Sequence, residues 1–133
     1  MYQRRLPPMK TIHTKHAPAA IGPYSQAKKV GPFLFLSGQI GIKPEEGKIV
    51  ETTLEGQAEQ VCQNIEAVLK KADCTMDDVV KTTCFLTDLS SFGAFNEIYA
   101  KHFTSKPARS CVEVSALPAG ALCEVEVVAY KKQ

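Results

Sequence analysis

The stretch FLFL, residues 33–36, is apolar at every position. A β-strand turns alternate side chains to opposite faces, so such a run needs cover on both. Residues 83–86, TCFL, make nearly the same demand. Any fold proposed for this chain must supply two layers of cover for at least these two strands.

The helices available to do so are few. Leu54, Ala58, Val61, Ile65, Val68, Leu69 and Ala72 step by three and four, which predicts an amphipathic helix. Thr52 and Glu55 have the spacing of a capping box. Glu55 and Glu59 near the start and Lys70 and Lys71 near the end suit the helix dipole. A second stripe runs through Phe92, Phe95, Ile98, Tyr99 and Phe103, with Ser90 or Ser91 as cap and Pro107 as a stop. Strands are predicted at residues 79–88, in PARSCVEV (107–114) and in LCEVEVVAYK (122–131). With the extended segments either side of the Gly31-Pro32 turn, the count is five or six strands and two helices, an α+β domain. Two helices cover one face of such a sheet. The other face needs a partner, and an identical subunit is the usual one, so the pattern predicts a homo-oligomer.

Other classes fall away on composition. The 133 residues suffice for one domain with a core, and 44% hydrophobic with 23% charged residues is ordinary globular usage. The net charge of +2, with Lys and Arg spread along the chain, gives no footprint for nucleic acid. No apolar run reaches the length of a membrane span. The five cysteines form no C-x-x-C and sit within apolar patterns, which predicts buried thiols in a reducing compartment, the cytoplasm, rather than disulfides or a zinc site. His13 and His16 have no ligand cluster around them, so no metal is expected. MYQRRLPPM lacks the apolar core of a secretory signal. It reads as a flexible extension, residues 1–9, before a single domain at 10–133.

PARSCVEV carries an anomaly. Alternation puts Arg109, Cys111 and Glu113 on one face, and arginine rarely leaves water without a partner. A hairpin-like pairing with the last strand would set Glu124 roughly opposite residues 109–113, although the two strands need not be adjacent in the sheet. Arg109 is then either a buried ion pair with Glu113 or Glu124, or a clamp for a ligand carboxylate, which its planar fork suits and a lysine would not. One arginine against Glu113, Glu124 and Glu126 leaves the ion pair slightly ahead on composition alone. Upstream, Tyr24 in APAAIGPYSQA carries a phenol, and SGQIG (37–41) ends a strand with a hydroxyl and two glycines that let backbone approach a ligand. Each is also consistent with an ordinary turn.

Taken together, APAAIGPYSQA, FLSGQIG, VVKTTCFLTDL, FNEIYAKHF and above all PARSCVEVSALPAGALCEVEVVAY resemble the Rid (YjgF) family of reactive-intermediate deaminases, in family order over residues 10–131, and among them the RidA type. The resemblance implies a chorismate-mutase-like α+β fold: a mixed sheet of about six strands, two helices on one face, and a trimeric barrel. It implies a homotrimer with three sites between subunits, and no metal or cofactor. It implies hydrolysis of 2-iminobutanoate and 2-iminopropanoate, released by pyridoxal-phosphate enzymes, to 2-keto acids and ammonia. Carried over by residue, Arg109 binds the substrate carboxylate and Glu124 positions or activates water. Tyr24, Ser37, Gly38, Asn96 and Cys111 line the site, the last through its backbone. A non-catalytic trimer that binds small carboxylates would also use Arg109, but only the hydrolase needs Glu124 to reach water. Family links to RNA cleavage gain no support from the charge balance.

Overall fold

A computed structural model describes residues 6–131. Six strands form one mixed sheet: β1 (Met9–Ile12), β2 (Ala27–Val30), β3 (Phe33–Gln39), β6 (Val79–Leu86), β7 (Ala108–Glu113) and β8 (Cys123–Tyr130). A two-residue pair, β4 (Ile42–Lys43) and β5 (Lys48–Ile49), forms a separate small hairpin. Two helices, α1 (Leu54–Lys71) and α2 (Phe92–His102), complete the α+β fold expected from the pattern. The expected extension falls largely on residues 1–5, outside the described residues; Met9 already pairs with Val30, and the Pro8 carbonyl accepts the Gly31 N–H.

The turns follow local chemistry. Gly31 links β2 to β3 with φ 58° and Gly47 links β4 to β5 with φ 69°, backbone settings that favour glycine. The α1 stripe is buried as its spacing predicts, with Val61, Ile65, Val68 and Leu69 fully enclosed. Its cap lies one residue later than the capping box suggests: Thr53 accepts the Gly56 N–H at 3.0 Å, which leaves Glu55 with no reciprocal role. Neither serine caps α2 with its side chain. Asp88 instead accepts the Ser90 N–H in a 3-10 turn that leads into the helix, since a carboxylate there reaches the free N–H groups. The helix ends at His102 with Phe103 as its C-cap, before Pro107.

The strand order is β1-β2-β3-β8-β6-β7. β7 and β8 are therefore not paired: of the two arrangements the sequence left open, the hairpin does not form. β6 lies between them, antiparallel to β8 and parallel to β7, with α2 as the crossover that a parallel pair requires. Both helices cover one face. On that face Leu34 and Leu36 are 1% and 6% exposed, while on the other Phe33 and Phe35 are 41% and 46% exposed. The Phe33 ring meets Tyr130 edge-on at 5.1 Å, and Val80 and Val112 are also exposed there. One face of the sheet is thus apolar and uncovered in the single chain, as the sequence argument requires.

Buried polar groups tie loops to this frame. Gln26 accepts the Thr14 N–H and donates to the Thr14 and Pro18 carbonyls, which fixes the strap before β2. Asn64 on α1 donates to the carbonyls of Ile40 and Ile42, and Gln57 accepts the Leu122 N–H. A side chain at Gly41 would lie 3.0 Å from the Gln57 carbonyl, so the glycine lets the 40–42 segment run against α1. These bonds fix Gln26, Ile40 and Ile42 along one cavity wall.

Candidate active site

Arg109 sits on the helix-covered face of β7, at the edge of the sheet. Its Nη1 donates to Asn96 Oδ1 at 2.7 Å, and its guanidinium lies over the rings of Tyr99 at 4.7 Å and Phe92 at 5.3 Å. Phe92, Asn96 and Tyr99 are spaced by four and three, so one face of α2 presents all three to the arginine. The Tyr99 hydroxyl is paired with Thr82 Oγ1 at 2.7 Å, and burial raises the phenol's pKa, so the ring is neutral and fixed. Among the described residues no carboxylate lies within ion-pair distance of Arg109. The ion pair favoured by composition does not form. Glu113 accepts the Leu89 N–H at 2.8 Å instead, and Glu124 faces away. Arg109, Asn96, Tyr99, Phe103, Lys106 and Pro107 line an open cleft of about 520 Å³.

Glu124 belongs to the other face. β8 alternates so that Cys123, Val125 and Val127 are buried under the helices while Glu124 and Glu126 point to the uncovered side. Opposite them, β3 carries a bulge: Leu36 pairs with Val127 and Gln39 with Val125, so Ser37 and Gly38 fall at the irregularity. A side chain at Gly38 would come within 2.2 Å of Glu124 Oε2, which is why the chain has none there. Ser37 Oγ donates to the Ser25 carbonyl at 2.6 Å. The Glu124 carboxylate has no side-chain hydrogen bond among the described residues, yet neither oxygen is sealed from solvent. Its pKa is raised, first by desolvation and second by the neighbouring Glu126 charge. A carboxylate that is reachable by water and holds its proton more tightly than usual is suited to general acid–base work. Glu124, Gly38 and the half-exposed Tyr24 border a cavity of about 220 Å³ with apolar walls from Ile21, Ile40 and Pro118. Ala119, in the same wall, has φ 57°, a left-handed setting unusual for alanine.

The predicted residues therefore form two groups: Arg109, Asn96 and Cys111 on the α2 side of the sheet edge, and Tyr24, Ser37, Gly38 and Glu124 on the open side. Cys111 is the register partner of buried Cys84 on β6. Burial raises its pKa against the opposing pull of Arg109, and that of Cys84 is pushed up to about 12. Both are thiols, not nucleophilic thiolates, at neutral pH. The described residues include no cluster of metal-ligating side chains. Phe92 and Tyr99 read as core stripe from the sequence. Their second role, as flanks for Arg109, was legible only as their shared spacing with Asn96.

Comparison with known proteins bears on what such an arrangement does. Residues 14–131 match the family described as Endoribonuclease L-PSP. The chain is 46% identical over 123 residues to the 2-iminobutanoate/2-iminopropanoate deaminase of Mus musculus, covering 92% of this chain and 91% of that one. The crystal structure of YyfA from Yersinia pestis, of the conserved Rid protein family, matches with a TM-score of 0.90 at 51% identity, over 92% of this chain and 99% of the other. Escherichia coli TdcF with bound serine matches with a TM-score of 0.88 at 38% identity, over 92% and 99%.

Proposed function

This chain belongs to the Endoribonuclease L-PSP family, which includes the Rid proteins, and from that premise we propose that it hydrolyses reactive 2-imino acids, among them 2-iminobutanoate and 2-iminopropanoate, to 2-keto acids and ammonia. The observation that carries the reading is Arg109: a half-buried guanidinium oriented by Asn96 and two aromatic rings, facing a cleft, with no carboxylate partner among the described residues. A charge in that state calls for an external anion. The mouse relative is named for this reaction.

Arg109 grips the substrate carboxylate bidentately and so fixes the C=N carbon two bonds away. Glu124 takes a proton from water as its oxygen bonds to that carbon. The resulting carbinolamine carries OH and NH₂ on one carbon. Glu124 hands that first proton to the imine nitrogen to complete the NH₂, then takes the hydroxyl proton and delivers it to the same nitrogen, so that the C–N bond breaks and ammonia leaves as C=O forms. Free imines hydrolyse unaided, so one general base contributing roughly 10²–10⁴-fold is enough. Tyr24, Ser37 and Gly38 border the base; Asn96 orients the clamp, and Cys111 contributes backbone. The reading requires no metal or cofactor.

Since Arg109 and Glu124 of one chain face opposite ways, the reading needs a second copy to bring them together. The uncovered aromatic face of Phe33, Phe35 and Tyr130 supports a homotrimer, with sheets facing inward and a site at each junction. The cytoplasm, where the free cysteines stay reduced and pyridoxal-phosphate enzymes release such imines, is the proposed compartment. The test generates 2-iminobutanoate with threonine dehydratase in the presence of semicarbazide. Native protein is expected to suppress semicarbazone formation and Arg109→Ala not to. Equal trapping with and without native protein would overturn the reading.

A further inference from the structure

Lysines that are far apart in sequence meet at the edge of the sheet opposite Arg109. The β1–β2 register sets Lys10 directly across from Lys29. Both lie on the helix side, since Lys29 also pairs with buried Leu34 and Lys10 alternates with buried Ile12. The C-terminal end of α1 adds Lys71, and the three lysines line a cleft of about 250 Å³ in which Asp73 is the one carboxylate among the described residues. Lys131 donates to the Asp73 carbonyl beside it. Lys29 and Lys131 are close enough to act on the buried Cys74 thiol, whose pKa burial and Asp78 raise in spite of them. None of the four lysines has an ion-pair partner among the described residues.

Ordinary explanations cover only part of this. The helix dipole accounts for Lys71, and a guard against edge pairing accounts for Lys10. Neither accounts for Lys29, on the inner strand β2, directly opposite another lysine, because like charges facing each other across an antiparallel pair destabilise it. An anion seated between them removes that repulsion. Among the described residues, the cations that line the cleft are ammonium groups. Lysine binds phosphate as a compact point charge, and one phosphate, with several anionic oxygens, can meet ammonium groups that converge from different directions.

We propose that the cleft formed by Lys10, Lys29 and Lys71 binds the phosphate of a small phosphorylated molecule, at a site separate from the one that handles imino acids. Free phosphate and the phosphates of a nucleotide share this chemistry. Calorimetry and thermal melts of the full chain with inorganic phosphate, pyrophosphate and ADP, at ionic strength matched with sodium chloride, separate them: the probe that binds tightest identifies the source. Native protein is expected to bind and to gain melting temperature. Lys29→Gln, with Lys10→Gln as a second variant, should bind at least tenfold more weakly. Lys29→Gln should also melt higher than native in phosphate-free buffer, because the repulsion is gone. Lys28→Gln should bind like native, because the Lys28 ammonium donates to Thr11 on the opposite face. Absence of binding by all three probes, or an equal loss in Lys28→Gln, would overturn the site.

Discussion

Arg109 and Glu124 project from opposite faces of the same sheet. The strand between them makes this unavoidable: Thr82 of β6 pairs with Arg109 and Phe85 pairs with Glu124. Residues three apart on a strand point opposite ways. A reaction that uses both side chains therefore uses two chains.

Subunit complementation tests it directly. Arg109→Ala and Glu124→Gln, each inactive alone, should regain activity when unfolded together and reassembled. In the proposed trimer, random mixing brings a native arginine to a native glutamate at about a quarter of the junctions. Recovery measured by imine trapping supports the composite site; none at all, with mixed trimers verified by mass, would place both groups in one chain.

Arg109→Lys should lower kcat/KM by about a hundredfold or more while the assembly state, read by sedimentation, is unchanged. A lysine keeps the charge but loses the bidentate fork and the stacking on Tyr99 and Phe92. Near-native activity would rule out the clamp.

Glu124→Gln should bind 2-ketobutyrate within a few-fold of native and turn over roughly 10²–10⁴ times more slowly. Its effect on stability has a definite sign. The folded-state pKa of Glu124 is raised, so across the window between the ordinary glutamate value and the raised value the native state binds more protons than the unfolded chain. Stability then falls as pH rises through that window. Glu124→Gln should be the more stable protein at neutral pH and lose that advantage below the ordinary glutamate range, as urea titrations at several pH values would show.

Gly38→Ala should damage function more than folding. The new methyl meets the far end of the Glu124 side chain, not backbone, so the carboxylate swings aside and the fold persists. Turnover should drop toward that of Glu124→Gln with little change in melting temperature. A large loss of stability would mean that the bulge, not the carboxylate, requires the glycine.

Phe35→Glu, on the uncovered face, should dissociate the assembly and abolish activity together, leaving a folded monomer by circular dichroism. An active monomer would contradict a site between subunits.

Short-range physics made much of this protein legible in its sequence. The three-and-four spacing of Leu54 to Ala72 follows from helix geometry alone, and α1 buries that stripe. Alternation in the last strand is a property of any strand, and it separates Glu124 and Glu126 from Cys123, Val125 and Val127. The all-apolar run at residues 33–36 announced an uncovered face, and Arg109 stood out because a guanidinium facing the core needs a partner. The tertiary structure decided which partner. Strand order depends on contacts between segments dozens of residues apart, and nothing local to PARSCVEV or CEVEVV says that residues 79–86 will slip between them. That insertion placed Arg109 and Glu124 on opposite faces of the sheet instead of side by side. The same long-range pairing gathered Lys10, Lys29, Lys71 and Lys131, which look evenly scattered along the chain, into one patch. Periodicity is written in neighbouring residues and can be read from them. Convergence is produced by the closing of the sheet, and only the folded chain contains it.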